Sequence, residues 1–91
     1  MIVLLHHIAK KYLERLNADD RERIKEGLRD LAEEPPKGDI RPYEGSSGTL
    51  RLRVGGFRVI FKYEGNNSIL VSHIESRGQA YTKKTKTKRG K

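Results

Sequence analysis

The run LRLRVGGFRVIF, residues 50–61, restricts the possible folds more than any other part of the chain. Two alternating, β-prone segments flank Gly55-Gly56, and a two-residue glycine turn between such segments closes an antiparallel hairpin in a fixed register. Val54 then pairs with Phe57, Arg53 with Arg58, Leu52 with Val59, Arg51 with Ile60 and Leu50 with Phe61. Cross-strand partners share a face, so Leu50, Leu52, Val54, Phe57, Val59 and Phe61 line one side. Arg51, Arg53, Arg58, Ile60 and Lys62 line the other. The apolar side has to be covered by a second layer.

The N-terminal third supplies that layer. Ile2 to Leu5 reads as a short strand, and from His7 onward Ile8, Tyr12, Leu13 and Leu16 recur at the three- and four-residue spacing of a helix face. Asn17-Ala18-Asp19-Asp20 reads as a break and restart, with Asn17 or Asp19 as cap and acids favoured in the first turn by the helix dipole. Ile24, Leu28, Leu31 and Ala32 continue a second helix until Pro35 and Pro36 stop it. Residues 37–49, KGDIRPYEGSSGT, have the composition of a loop, and Ser68 to Ile74 forms a last strand after the turn Glu64-Gly65-Asn66-Asn67. The order is β-α-α-β-β-β. It predicts an α+β domain in which an N-terminal helical hairpin packs on a mainly antiparallel, twisted sheet. Residues 1–82 are expected to form a single domain, and 83–91 a flexible, disordered basic tail.

Charge narrows the partners. The chain of 91 residues carries a net charge of +8, which puts polyanions first among candidate ligands. Six basic residues lie in the last nine, KKTKTKRGK, so the body is only mildly basic. With no cysteine there is no disulfide, zinc-thiolate site or thiol nucleophile. His6 and His7 are adjacent and far from His73, which gives no metal-ligand spacing, and no metal or other cofactor is expected. The opening apolar run is too short for a signal or membrane segment, which leaves the cytoplasm as the default and no membrane partner.

The arginine side raises the functional question. Arg53 directly opposite Arg58 is a like-charge pair that costs roughly 0.2–1 kcal/mol. Basic residues on an exposed strand can serve simply to discourage edge pairing. Planar guanidinium forks can also hold phosphate oxygens with two hydrogen bonds each. In the last strand Ile69, Leu70 and Val71 are all apolar, so periodicity leaves two registers open and does not fix the face of His73. Its imidazole is a candidate acid or base, and Glu75 could form a salt bridge with the arginines.

Tyr43-Glu44-Gly45, a polar loop, LRLRVGGFRVIF and then HIESRGQAY resemble the RelE/ParE superfamily of small bacterial and archaeal toxins. The resemblance extends from the first strand to Tyr81. It implies the toxin of a type II toxin-antitoxin pair, and for the RelE branch a ribosome-dependent endoribonuclease that cuts mRNA in the ribosomal A site. Carried over by position, Arg51, Arg53 and Arg58 match the basic residues about the turn, Arg77 the arginine of the last strand and Tyr81 the closing tyrosine. Glu75 and Ser76 depart from the pattern, Glu75 standing where many members have glycine and Ser76 where several have histidine or lysine.

The resemblance makes Arg51, Arg53, Arg58, Arg77 and Tyr81 the catalytic set, with His73 as a further acid or base. Metal-independent cleavage proceeds by attack of the 2′-OH on phosphorus, and arginines would stabilise the charge that accumulates on the phosphorane. Tyr81 is the implied base, although a tyrosine of ordinary pKa is only roughly 0.1% ionised at neutral pH. Neighbouring guanidiniums would favour its phenolate. Lys62, Lys83, Lys84, Lys86, Lys88 and Arg89 are expected to contact RNA or ribosome phosphates without sequence preference. The expected partners are a cognate antitoxin, the ribosome and mRNA. Two other functions fit the same chain: a ParE-like inhibitor of DNA gyrase that cuts nothing, and a catalytically inactive nucleic-acid binder.

Overall fold

The computed structural model describes residues 1–43, 45 and 48–76. The elements are β1 (Ile2–Leu5), α1 (His7–Arg15), α2 (Ala18–Leu31), β2 (Asp39–Pro42), β3 (Leu50–Val54), β4 (Phe57–Glu64) and β5 (Ser68–Ser76). The five strands form one sheet in the order β1-β5-β4-β3-β2. β1 runs parallel to β5, and every other pair is antiparallel. The expected α+β class and helical hairpin are present. The expected strand list, however, lacks β2, which lies inside the segment assigned to a loop.

The physical reason is that β2 carries almost no signal of its own. It is four residues long and ends in Pro42, a residue that sheets accept mainly at their edges. Its place comes from pairing with β3, Ile40 against Leu52 and Arg41 against Arg51. A backbone hydrogen bond from Tyr43 N to Thr49 O, 2.9 Å, extends the pairing past the strand.

Local capping explains where the helices start. The His6 ring accepts a hydrogen bond from Ile8 N, and the Asn17 side chain accepts one from Asp20 N at 2.9 Å. Asn17, not Asp19, is therefore the second cap, while Asp19 and Asp20 sit in the first turn, where the dipole favours acids. Ala9 and Leu13 of α1 and Ile24 and Leu31 of α2 are buried against Leu52, Val59, Phe61, Ile69, Val71 and Ile74 of the sheet. Each large side chain so buried contributes on the order of 1.5–3 kcal/mol.

The hairpin has the expected register at all five pairs, with Gly55 at φ +58°, the left-handed conformation that a two-residue hairpin turn requires. β5 departs from regular pairing. Ile60 pairs with His73 but Phe61 pairs with Val71, so Ser72 is an extra residue, a β-bulge. The Ser72 hydroxyl lies 3.3 Å from Ile60 O. This insertion changes the phase of the strand: Ile69 and Val71 before it and Ile74 after it all join the core. His73 and Glu75 are consequently placed on the face of Arg58, across from Ile60 and Arg58 respectively.

Candidate functional site: an arginine cleft on the open sheet face

The sheet face away from the helices reads across its strands as Asp39 and Arg41, Arg51 and Arg53, Arg58 and Ile60, then His73 and Glu75. Ile60 is only 1% exposed although it lies outside the main core cluster. Arg51 and His73 flank it on the adjacent strands, and it gives the polar groups an apolar floor. A buried apolar surface beneath charged groups lowers the local dielectric and strengthens their interactions.

Arg51 and Arg58 open onto one cleft of about 380 Å³, completed by Pro42 and Tyr43. β2 is what brings the last two there. Arg51 has a largely covered side chain, 17% exposed, with Nη1 3.8 Å from the Asp39 carboxylate and 3.3 Å from Asp39 O. Arg58 is more open, its side chain 41% exposed.

Glu75 joins the second half of the site. Its Oε1 lies 2.8 Å from Arg58 Nη2, and its Oε2 accepts hydrogen bonds from Tyr43 Oη at 3.0 Å and His73 Nε2 at 3.1 Å. The Arg58 contact is close but poorly aligned: Glu75 Oε1 and Arg58 Nε are buried atoms without a hydrogen-bond partner. Burial alone would raise the Glu75 pKa, but hydrogen bonds from Tyr43 and His73 and the Arg58 charge outweigh it and hold the carboxyl below its ordinary value. The hydrogen bond to Glu75, helped by burial, raises the Tyr43 pKa. Tyr43 is therefore a proton donor in this arrangement and a poor base.

His73 faces inward at both ring nitrogens. Nε2 points at the Glu75 carboxylate, an acceptor, and so carries a proton. Nδ1 is 3.3 Å from Ser72 Oγ. Tyr43 also packs edge-on against the imidazole, with ring centroids 6.4 Å apart. With both nitrogens engaged, His73 orients Glu75 in this geometry.

Of the residues expected from sequence, Arg51, Arg53, Arg58 and His73 share the face. Arg53 is exposed and lines a separate cleft of about 220 Å³ with residues of α2, including Arg23 and Asp30. Lys62 is exposed further along β4, opposite Leu70. Arg77, Tyr81, Lys83, Lys84, Lys86, Lys88 and Arg89 lie outside the described residues. Tyr43 and Asp39 were not among the candidates because they belong to the unrecognised β2 and its end. Alternation of Asp39 and Arg41 with Ile40 is the local signal for β2, and Tyr43 stands in the motif Tyr43-Glu44-Gly45 with no role assigned to it. Among the described residues no group of three or more His, Asp or Glu could hold a metal ion, and no helix is long and apolar enough to cross a membrane.

The family described as the ParE toxin of the type II toxin-antitoxin system parDE matches residues 3–81. The chain belongs to this toxin family. No curated protein matches the toxin. Among solved structures, the toxin resembles the archaeal RelE-RelB complex of Pyrococcus horikoshii OT3 at 27% identity and a TM-score of 0.70, covering 86% of this chain and 96% of that one. The RelB-RelE complex of Methanococcus jannaschii gives 23% identity and a TM-score of 0.69 over 88% and 96% of the two chains. The isolated E. coli RelE toxin gives 18% and 0.68 over 94% and 96%. These structures share the toxin's α+β fold, and together with the family match they make it a member of the RelE/ParE superfamily.

Proposed function

We propose that the toxin is a metal-independent endoribonuclease that cuts mRNA in the ribosomal A site, acts in the cytoplasm and is neutralised there by a cognate antitoxin. The observation that carries this reading is the convergence of Arg51 and Arg58 with Tyr43 on one cleft. A gyrase-binding surface would have no need of two guanidiniums lining one open cleft. The antitoxin follows from membership of a toxin-antitoxin family and from the RelB-bound state of two of the similar structures.

In the proposed reaction the 2′-oxygen loses its proton to a base and attacks the adjacent phosphorus. The bond to the 5′-oxygen breaks and that oxygen takes up a proton from water, leaving a 2′,3′-cyclic phosphate and a 5′-hydroxyl. Arg51 and Arg58 hold the non-bridging oxygens as charge accumulates on them, an effect typically worth 10²–10³ in rate per donor. Tyr81 is assigned the role of base and Arg77 the support of the leaving oxygen. Lys62 and the basic residues of 83–91 supply phosphate contacts that weaken with salt. His73 acts through Glu75 and not on the substrate. The ribosome contributes by orienting the mRNA, since positioning can supply roughly 7–11 kcal/mol of a barrier.

Inhibition of DNA gyrase is the second reading, and the ParE family match favours it. Primer extension on mRNA in a purified translation reaction, run beside a gyrase supercoiling assay, separates the two. The ribonuclease reading expects cuts at codon-defined positions, at least about 100-fold weaker with Arg58→Ala and lost with Tyr81→Phe, and unimpaired supercoiling. Blocked supercoiling without mRNA cuts would replace it with the gyrase reading.

A further inference from the structure

An anion already sits against one arginine of the cleft, Arg58. Glu75 reaches Arg58 at 2.8 Å from the strand beside it, directly across the ladder. Its other oxygen is tied to Tyr43 and His73. The remaining arginine of the cleft, Arg51, also has an acid nearby, Asp39, at the longer distance of 3.8 Å. A phosphodiester arriving at this cleft meets guanidiniums that carboxylates have already engaged.

We propose that Glu75 occupies the phosphate position of Arg58 and is exchanged for an RNA phosphate on binding, which makes Glu75 the residue that sets the site's affinity for RNA. This rests on the reading of the arginine face as an RNA site, and deepens it.

Three features support exchange over a fixed structural ion pair. First, the contact is imperfect: Glu75 meets only Nη2, while Arg58 Nε is buried without a partner. A carboxylate that filled the site well would use the fork of Nε and Nη2 together, the geometry that guanidinium offers to carboxylate and phosphate alike. Second, Oε2 holds two further hydrogen bonds, so Glu75 can release Arg58 and stay anchored. Its carboxylate is not left as an isolated charge. Third, the Arg58 side chain is 41% exposed and lines the cleft, which gives an incoming phosphate access to it.

Exchange predicts that the resident carboxylate competes with ligand. Removing its charge by Glu75→Gln should tighten binding, although the variant leaves every positive charge where it was. The exposed Glu14 on α1 provides the control for the loss of one negative charge elsewhere.

The test is fluorescence anisotropy on the full chain with a single-stranded deoxyoligonucleotide, which presents a phosphate backbone but no 2′-hydroxyl to cleave. Glu75→Gln is expected to bind roughly tenfold tighter than the parent, Glu14→Gln to stay within about twofold, and the Glu75 gain to disappear in an Arg58→Ala background. Equal or weaker binding by Glu75→Gln, or a gain that persists without Arg58, overturns the proposal. A second measurement uses the parent protein alone, so it holds even if the variant fails to fold. The Arg58 Nε–H signal in NMR should shift on saturation with the oligonucleotide or with inorganic phosphate, and a signal unmoved by bound oligonucleotide contradicts exchange. Both readouts are binding measurements. Absence of mRNA cleavage would remove the ribonuclease reading without changing them, and their failure would leave cleavage untouched.

Discussion

Arg58 has a like charge on one side, Arg53 of β3, and an opposite charge on the other, Glu75 of β5. The Glu75→Gln change should therefore expose a repulsion that the native protein offsets. Its cost has two parts. The ion pair is short, 2.8 Å, but its side chains are 41% and 27% exposed, which places its worth at about 1 kcal/mol, the upper end for surface pairs. The glutamine oxygen can still accept from Tyr43 or His73, so little is added for those bonds. Loss of the offset to the Arg53–Arg58 pair adds roughly 0.2–1 kcal/mol. The sum, about 1–2 kcal/mol, corresponds to a fall in Tm of roughly 5–15 °C for a domain of this size. Urea denaturation at neutral pH and low salt, with m unchanged, measures it. In an Arg53→Gln background the same Glu75→Gln change should cost about 0.5 kcal/mol less, a coupling that a double-mutant cycle resolves. A Glu75→Gln variant as stable as the parent, or equal costs in the two backgrounds, would refute the idea that Glu75 relieves strain between the arginines.

Two other predictions follow from the structure. Because the folded-state pKa of Glu75 lies below its ordinary value, its contribution to stability is fully present above the unfolded carboxyl pKa of about 4.3 and is lost as pH falls through the lower folded value. Tyr43→Phe removes one of the hydrogen bonds that lower it, so acid unfolding of that variant should begin at higher pH, and an unshifted curve would contradict the network. Gly27→Ala should destabilise the protein by about 1–2 kcal/mol in the same urea assay, even though alanine is favoured over glycine by about 1 kcal/mol in a helix. A Cβ at Gly27 would stand 2.7 Å from Val54 Cγ2, and a stabilised variant would mean that α2 can move away from β3.

Much of this arrangement could be read from local sequence, and the failures have a common cause. Gly55-Gly56 sets the hairpin register, which in turn places Arg51, Arg53 and Arg58 together, so half of the site followed from one turn. The two helices announced themselves through their apolar spacing and through Asn17. β2 did not, because a four-residue edge strand ending in proline owes its existence to β3 and not to any periodicity of its own. Tyr43 was lost with it. The bulge at Ser72 was equally hidden: three consecutive apolar residues, Ile69, Leu70 and Val71, fit either phase, and only packing against β4 decides that His73 and Glu75 point to the arginines. The neutralising role of Glu75 depends on three contacts from residues 2, 17 and 32 positions away in the chain, which no local pattern encodes.

The proposed reaction has the arginine cleft hold a phosphate of mRNA through its cleavage. The termini of mRNA recovered from a purified translation reaction containing the toxin report on that step. The proposed reaction yields upstream fragments ending in 2′,3′-cyclic phosphate and downstream fragments beginning with 5′-hydroxyl at codon-defined positions, with both products at least about 100-fold weaker in Arg58→Ala. Intact mRNA, or fragments bearing 5′-phosphate and 3′-hydroxyl ends, would contradict it.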